Sequence, residues 1–379
     1  MLDRLFPMSQ DWSWVTFILY FLVAVSVTAL CKSGAEAETI GMSKLDINFR
    51  YFSAYLILVL LATLRSEYVG SDTANYVNYF ENATKFSFDW DRLFTFQQME
   101  PGFKYYLYLI RQITDNYTVY FFITYSIVAY GYIAFIKYFF NDGTNCIFLQ
   151  LFIIFYASNM SGARSALGTF FLLFSFIALD KKKYLRAIIL TLIACGFHYT
   201  MMFNFFVIIM CWILMKKTLI PNKHFWVLAL IIAIVFSGAG AFFLKGIFAE
   251  TKYDYYSSVS SEKLSLLGSV FYLLYFIICI GFYDKLIKEK QSLLIITLSL
   301  MATYPLLFIT GAYRIPNYYA LPRLLIWCKA SDYLIEEQEG RNMVFLVELI
   351  LEVIVVLYML FRFTRSAEDG GFQYQFFWN

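Results

Sequence analysis

Twelve apolar segments divide this chain of 379 residues, at roughly 13–31, 50–65, 117–138, 145–160, 165–180, 184–198, 199–215, 224–244, 268–283, 291–311, 315–330 and 343–361. A helix that crosses a bilayer needs about 20 apolar residues, so a chain of this length holds a dozen with short connections. The fold expected is all-α, a polytopic integral membrane protein of about 12 transmembrane helices. Composition agrees: 60% of residues are hydrophobic, 15% are charged and the mean hydropathy is +0.62. Soluble domains run at about 45–50% apolar and about 25% charged. An ordinary cytosolic enzyme is excluded, and so is a disordered chain, which needs low hydrophobicity. The net charge of +3 is too small to point to nucleic acid. No internal repeat is visible, which weighs against transporter folds built from repeated halves.

The 31 tyrosines and 42 phenylalanines bring aromatics to 21%. Tyrosine has an apolar body and a polar tip, which suits a membrane interface or a carbohydrate surface. Cys31, Cys146, Cys195, Cys211, Cys279 and Cys328 form no C-x-x-C pair and have no histidine at metal-ligand spacing. Each sits in or beside an apolar run, as a buried thiol does. The run from Trp14 to Cys31 is long enough to stay as a membrane helix. Asp3 and Asp11 against Arg4 do not make the basic flank of a signal peptide.

Basic residues in alternate connections set the orientation. The connections 32–50, 137–145, 180–186, 216–223, 284–290 and 323–342 hold 17 Lys and Arg, against 13 on the other side. Lys181-Lys182-Lys183 and Lys216-Lys217 are the clearest markers. The first set is expected in the cytoplasm. Both termini, the long loop 65–117 and a Tyr/Ser-rich loop 245–267 (Tyr253, Tyr255, Tyr256) are expected in the periplasm of a bacterium. The whole chain, 1–379, is read as one transmembrane domain. Within the long loop, Phe103, Tyr106, Leu107 and Ile110 fall at helical spacing, flanked by Lys104 and Arg111. That pattern predicts an amphipathic helix, either lying on the membrane surface or capping the bundle.

Ionisable groups at membrane depth are costly, so their positions carry the functional signal. In this topology Arg65, Arg164, His198 and Arg314 all fall at periplasmic helix ends. Arg164 lies in Ser161-Gly162-Ala163-Arg164-Ser165-Ala166 and is the only charge between Asp142 and Asp180. A planar guanidinium suits a phosphate; the plainer reading of each arginine is a side chain snorkelling to the interface. His198 has only His224 for company, and the two make no metal pair. Asp72 in Val69-Gly70-Ser71-Asp72-Thr73 and Glu100 in Met99-Glu100-Pro101-Gly102 are the outer carboxylates, and both also fit turn chemistry. Asp89-Trp90-Asp91 matches a metal-binding D-x-D literally, though a solvated loop explains it as well. Glu348 and Glu352 share one helix face in the last segment and read as structural or pairing residues. No nucleotide-binding glycine loop, G-x-S-x-G or H-E-x-x-H pattern is present.

Arg65, then Val69-Gly70-Ser71-Asp72-Thr73-Ala74-Asn75-Tyr76, then Glu100-Pro101-Gly102-Phe103 resembles the EpsG-like polysaccharide polymerases, which include many Wzy-type O-antigen and capsule polymerases. Arg164, His198 and Arg314 follow in the order in which that family has an arginine opening a helix, a histidine near a later helix end and a late arginine. The resemblance covers about residues 50–320. Gly-Ser-Asp-Thr stands where the family has Gly-Thr-Asp-Thr, Ser165 stands where glutamine is common, and the tail lacks a clear Pro-Tyr ending.

The resemblance implies a GT-C-like helical bundle in the bacterial inner membrane, acting at the periplasmic face on repeat units linked to undecaprenyl pyrophosphate. It implies no cofactor, no nucleotide sugar and no required metal. Partners would be the lipid-linked oligosaccharide, the bilayer and a chain-length regulator. Arg65, Arg164 and Arg314 become candidates for the pyrophosphate. Glu100, Asp72 and His198 become alternatives for the general base, with Asp72 otherwise positioning sugar. Thr73, Tyr76, Tyr199 and Tyr313 become candidates for binding substrate. A flippase for the same lipid-linked unit, an O-antigen ligase and a structural membrane protein are the competing readings. A flippase would need polar groups at the bilayer midplane, and the segment centres are almost uncharged.

Overall fold

The computed structural model describes residues 14–83, 99–140, 146–215, 222–248, 266–309, 315–365 and 374–377. Each apolar segment of the sequence folds as helix over its described residues. Among them there is no strand, only an antiparallel bridge between Arg65 and Phe376. The helices are α1 (Trp14–Thr39), α2 (Lys44–Thr63), α3 (Thr73–Glu81), α4 (Pro101–Arg111), α5 (Tyr117–Phe139), α6 (Phe152–Ser161), α7 (Ala163–Asp180), α8 (Tyr184–Phe197) and α9 (Phe203–Leu214). They continue with α10 (Lys223–Phe248), α11 (Leu266–Gly281), α12 (Tyr283–Glu289), α13 (Gln291–Ile309), α14 (Ile315–Tyr318), α15 (Ala320–Glu336) and α16 (Arg341–Arg365).

Local chemistry sets several ends differently from the apolar boundaries. The first helix does not stop near Cys31 but continues to Thr39 through Lys, Ala and Glu, all good helix formers. It ends in a left-handed cap at Gly41 (φ +73°), with Met42 N–H donating to Ala37 O and Gly41 N–H to Glu38 O. The second helix begins at Lys44 rather than 50 because Ser43 caps it, its Oγ accepting from Asp46 N–H at 3.2 Å.

Five helices are long and apolar enough to cross a membrane, over Val15–Thr39, Lys44–Thr63, Tyr117–Phe139, Ala163–Asp180 and Arg341–Leu360. Shorter apolar helices cover Ile147–Ser161, Tyr184–Phe197, Tyr199–Leu214, Lys223–Val235 and Gln291–Pro305. Among the described residues, then, five of the expected dozen segments have the length and apolarity of full spans and others are shorter apolar helices. Interruptions make the difference: Gly162 separates α6 from α7, and His198 separates α8 from a 3-10 turn at Tyr199–Met202 that leads into α9. Large apolar side chains point outward from many helices, among them Leu22, Phe49, Leu185, Leu192, Ile231, Phe345 and Leu357. A water-soluble monomer does not carry such a surface; a bilayer covers it.

Inside, α7 packs most extensively on α8, and α2 on α1 and α5. A buried polar network ties α7, α8 and α9 to Tyr319, the residue that caps the start of α15. Asn204 Nδ2 donates to Ser175 Oγ (3.1 Å) and Thr191 Oγ1 (2.8 Å), and its Oδ1 accepts from Tyr319 OH (3.1 Å). Each satisfied bond contributes about 1 kcal/mol net, and together they lock the register of the helices that carry Arg164 and His198.

The bundle has two distinct ends. At one, Lys137 donates to Asn48, Tyr138 and Ser292 donate to Asp180, Lys290 donates to Phe139 O, Lys285 pairs with Glu337, and Lys329 pairs with Glu289. These residues come from the basic connections 32–50, 137–145, 180–186, 284–290 and 323–342, and from Ser292 just beyond one of them. At the other end lie the start of α1, the end of α2 and residues 374–377. Tyr374 N–H donates to Thr16 Oγ1 (3.1 Å), Ser66 N–H to Gln375 O (2.8 Å) and Phe377 N–H to Leu64 O (3.0 Å).

Candidate active site

Three pieces of chain meet at this second end. The first is the start of α4. Pro101 occupies its first turn, where a fixed φ favours the helix and no N–H is missed. Gly102 follows because its neighbour is backbone: a Cβ there would lie 2.7 Å from Gly196 O. The first turn of α4 therefore rests on the last turn of α8, and Glu100 comes to sit beside His198, which ends α8. Phe103 anchors the motif in the core. The amphipathic helix expected here caps the bundle, with Phe103, Leu107 and Ile110 buried and Tyr106 OH bonded to Thr124 Oγ1 of α5 at 2.8 Å.

The second piece is the turn before α3. Gly70 has φ +98°, and a Cβ there would lie 2.8 Å from Ser161 Cβ, so only glycine fits. Ser161 Oγ shares a hydrogen bond with Ser71 Oγ (3.1 Å) and accepts from Asp72 N–H (3.2 Å). Thr73 Oγ1 donates to Val69 O (2.6 Å), closing the turn. This docks α3 so that Tyr76 reaches the third piece, the first turn of α7.

Arg164 joins the three. Its Nη1 donates to Glu100 Oε2 at 2.6 Å and its Nε to Tyr76 OH at 3.1 Å, while the other Glu100 oxygen, Oε1, lies 3.2 Å from His198 Nδ1 and 3.5 Å from Tyr199 N. Glu100 is fully buried, whereas 26% of the Arg164 side chain is exposed. Among the described residues Arg164 Nη2 has no hydrogen-bond partner. Burial pushes the Glu100 carboxyl up, but the His198 hydrogen bond and the Arg164 and His198 charges outweigh it and hold it at about 2. Burial raises the Tyr76 hydroxyl despite Arg164 beside it, so it stays a neutral phenol. Arg164 also stands at the positive end of the α7 dipole, so an anion approaching its exposed edge meets both fields.

A model of the EpsG family matches residues 48–376. The chain belongs to the EpsG family. This is a family of Wzy-like polymerases, and the matched region runs from α2 to the Arg65–Phe376 bridge, taking in the whole cluster. No curated protein and no solved structure matches the chain.

In this EpsG-family chain the other sequence candidates are placed apart from the cluster or at its edge. Arg65 is fully buried. It donates to Ala62 O and to Met160 O, the latter at 2.8 Å, and its guanidinium lies between the rings of Phe121 (4.2 Å) and Tyr125 (4.4 Å). Tyr125 OH donates to the same Met160 carbonyl at 2.7 Å. Arg65 thus holds the end of α6, next to Ser161, rather than facing the open edge of Arg164. Asp72 is half-buried beside Tyr76, and its carboxylate has no hydrogen bond among the described residues. Thr73 is buried, with its hydroxyl committed to Val69 O. Tyr313 and Arg314, Asp89 and Asp91, and Tyr253, Tyr255 and Tyr256 lie outside the described residues. Glu352 is bonded by Gln150 Nε2 at 2.7 Å, in keeping with a pairing role. Tyr318 was no sequence candidate, yet its ring lies 6.0 Å from His198 and its hydroxyl bonds Thr200 Oγ1 at 3.0 Å. The only signal for it was closeness to Arg314. Gly196 was equally silent: its value lies in what touches it.

Proposed function

We propose that this EpsG-family protein polymerises oligosaccharide repeat units carried on undecaprenyl pyrophosphate, on the periplasmic face of the inner membrane, within a GT-C-like bundle. The observation that carries the reading is Glu100, a fully buried carboxylate bridging Arg164 and His198. In the reaction, a hydroxyl of an incoming lipid-linked unit attacks the anomeric carbon of the growing chain. The bond from that carbon to the pyrophosphate oxygen breaks, and the pyrophosphate leaves with the electron pair. Charge develops on the leaving group, where fixed positive charge lowers the barrier. Arg164, with its open edge, is assigned that role. The attacking hydroxyl gives up a proton, and His198 is assigned as the base. In its neutral form the His198 ring donates from Nδ1 to Glu100 and carries its lone pair on Nε2, the nitrogen that takes the proton; once protonated, its charge is held by Glu100. Glu100 then orients both partners, because a carboxylate held near 2 is a poor base at neutral pH. Tyr199 flanks the cluster as a surface for a sugar ring, the buried Tyr76 holds Arg164 in place, Asp72 is the free carboxylate for a sugar hydroxyl, and Arg65 positions the α6–α7 junction. Clustering at one end of the bundle favours an interfacial enzyme over a flippase path.

The test is Arg164→Ala in the parent strain. Membrane levels of the protein are expected to hold while long polysaccharide disappears, leaving lipid cores with one repeat unit on a gel. Polymer of normal length and amount in that strain would remove Arg164 from the reaction and overturn the proposal.

A further inference from the structure

A cavity of about 720 Å³ opens between α1, α2 and α5, at the end of the bundle away from Glu100. Its volume is in the range of pockets that hold a small molecule, about 300–1,000 Å³. Charge is confined to its mouth. Lys137, in the last turn of α5, donates to Asn48 Oδ1 at 3.1 Å and stands 5.1 Å from the centre of the Tyr51 ring. Glu38, at the exposed end of α1, is the carboxylate in the same lining. Lys137 and Glu38 form no ion pair with each other or with any described residue. Further in, the lining is aromatic, with Tyr55 from α2 and Tyr130 from α5. From Lys137 to Tyr130 is about 10 Å along the helix at 1.5 Å per residue. The cavity is therefore polar and doubly charged at the helix ends and apolar toward the middle of the bundle.

Two opposite charges kept apart in one mouth suit a ligand that carries both. Lys137 and the Asn48 amide offer donors to a phosphate. Glu38 offers an acceptor to an ammonium. The aromatic stretch, open to the outside of the bundle at Tyr130 and Phe52, suits the first part of an acyl chain, with the charged groups at the level of a membrane interface. We propose that this cavity binds a membrane phospholipid with a primary-ammonium zwitterionic headgroup, of the phosphatidylethanolamine type. The inference is independent of the polymerase reading, since none of these residues touches the Glu100 cluster.

The experiment uses the full chain reconstituted in nanodiscs with equal parts phosphatidylethanolamine, phosphatidylglycerol and phosphatidylcholine. Lipid that stays with the protein after transfer to detergent is counted by mass spectrometry. Phosphatidylethanolamine is expected to be enriched on the native protein. Glu38→Gln, an exposed change that leaves the fold alone, is expected to cut that preference about threefold, the size of an exposed ion pair. Lys137→Gln is expected to lower retention of phosphatidylethanolamine and phosphatidylglycerol together. Equal retention of the three lipids, enrichment of phosphatidylglycerol, or a native pattern in both variants would overturn the proposal and leave only unselective boundary lipid.

Discussion

Glu100 and Arg65 show what a charge at a helix end can mean. In the sequence, Arg65 and Arg164 look alike, each a single cation where an apolar run breaks. Three-dimensional surroundings divide them: Arg65 is closed in by Phe121, Tyr125 and two carbonyls, whereas Arg164 keeps an exposed edge and a carboxylate partner. No local pattern encodes that difference, because Met160 and Glu100 reach the arginines only through the fold. Glu100→Gln preserves shape and removes the charge, so it isolates the role of the carboxylate. It leaves Arg164 in a largely buried site without its counter-charge, a change that costs on the order of 3 kcal/mol when a buried pair is broken. Polymer formation is expected to fall by about 10²–10⁴, the worth of the base His198 once the group that orients it is lost. The native carboxyl is depressed from 4.5 to about 2, so its contribution to stability is full above about pH 4.5 and is lost as pH falls toward 2. Melting temperatures in detergent between pH 7 and pH 3 are expected to converge for native and E100Q protein. A constant gap across that range would mean that Glu100 is not the ionised partner described here.

At the scale of elements, the Gly-Ser-Asp-Thr and Glu-Pro-Gly-Phe motifs work as docking devices. Gly70 lets the turn before α3 lie on Ser161, and Gly102 lets α4 lie on Gly196. The motifs stand out in the sequence because each is a compact run of turn and helix-start chemistry. The surfaces that receive them do not, because Ser161 and Gly196 are ordinary small residues in apolar stretches far along the chain. Gly102→Ala tests the device against helix propensity. Propensity alone favours alanine in a helix by about 0.5–1 kcal/mol. The added Cβ would stand 2.7 Å from a backbone oxygen that cannot rotate away, so α4 has to shift and carry Glu100 off His198. Gly281→Ala, where nothing lies within 4 Å, is the matched control. Native polymer length is expected from G281A and a loss of long polymer from G102A, both proteins being present in the membrane. Equal behaviour of the two would show that close contact between α4 and α8 does not set the site.

At the scale of the molecule, polarity is sorted by end. α7 spans the distance in one piece: Arg164 in its first turn lies at the cluster and Asp180 closes it among the basic connections, about 24 Å apart at 1.5 Å per residue. The sequence anticipated this sorting because basic residues and apolar run lengths are additive properties that survive without knowledge of contacts. Composition alone does not say how many of the apolar segments cross in full, because a broken helix and a pair of crossing helices have the same composition. The proposed orientation rests on the excess of Lys and Arg at the Asp180 end, and that direction decides whether the proposed chemistry has access to substrate. Single cysteines test it in a background whose native cysteines are replaced. Tyr68→Cys lies in an exposed position beside the Gly70 turn, and Lys183→Cys lies in the exposed connection before α8. A membrane-impermeant maleimide is expected to label Tyr68→Cys in intact cells and Lys183→Cys only after lysis. The reverse pattern would turn the molecule over, place Glu100, Arg164 and His198 toward the cytoplasm, and separate the cluster from any repeat unit already carried to the outer face.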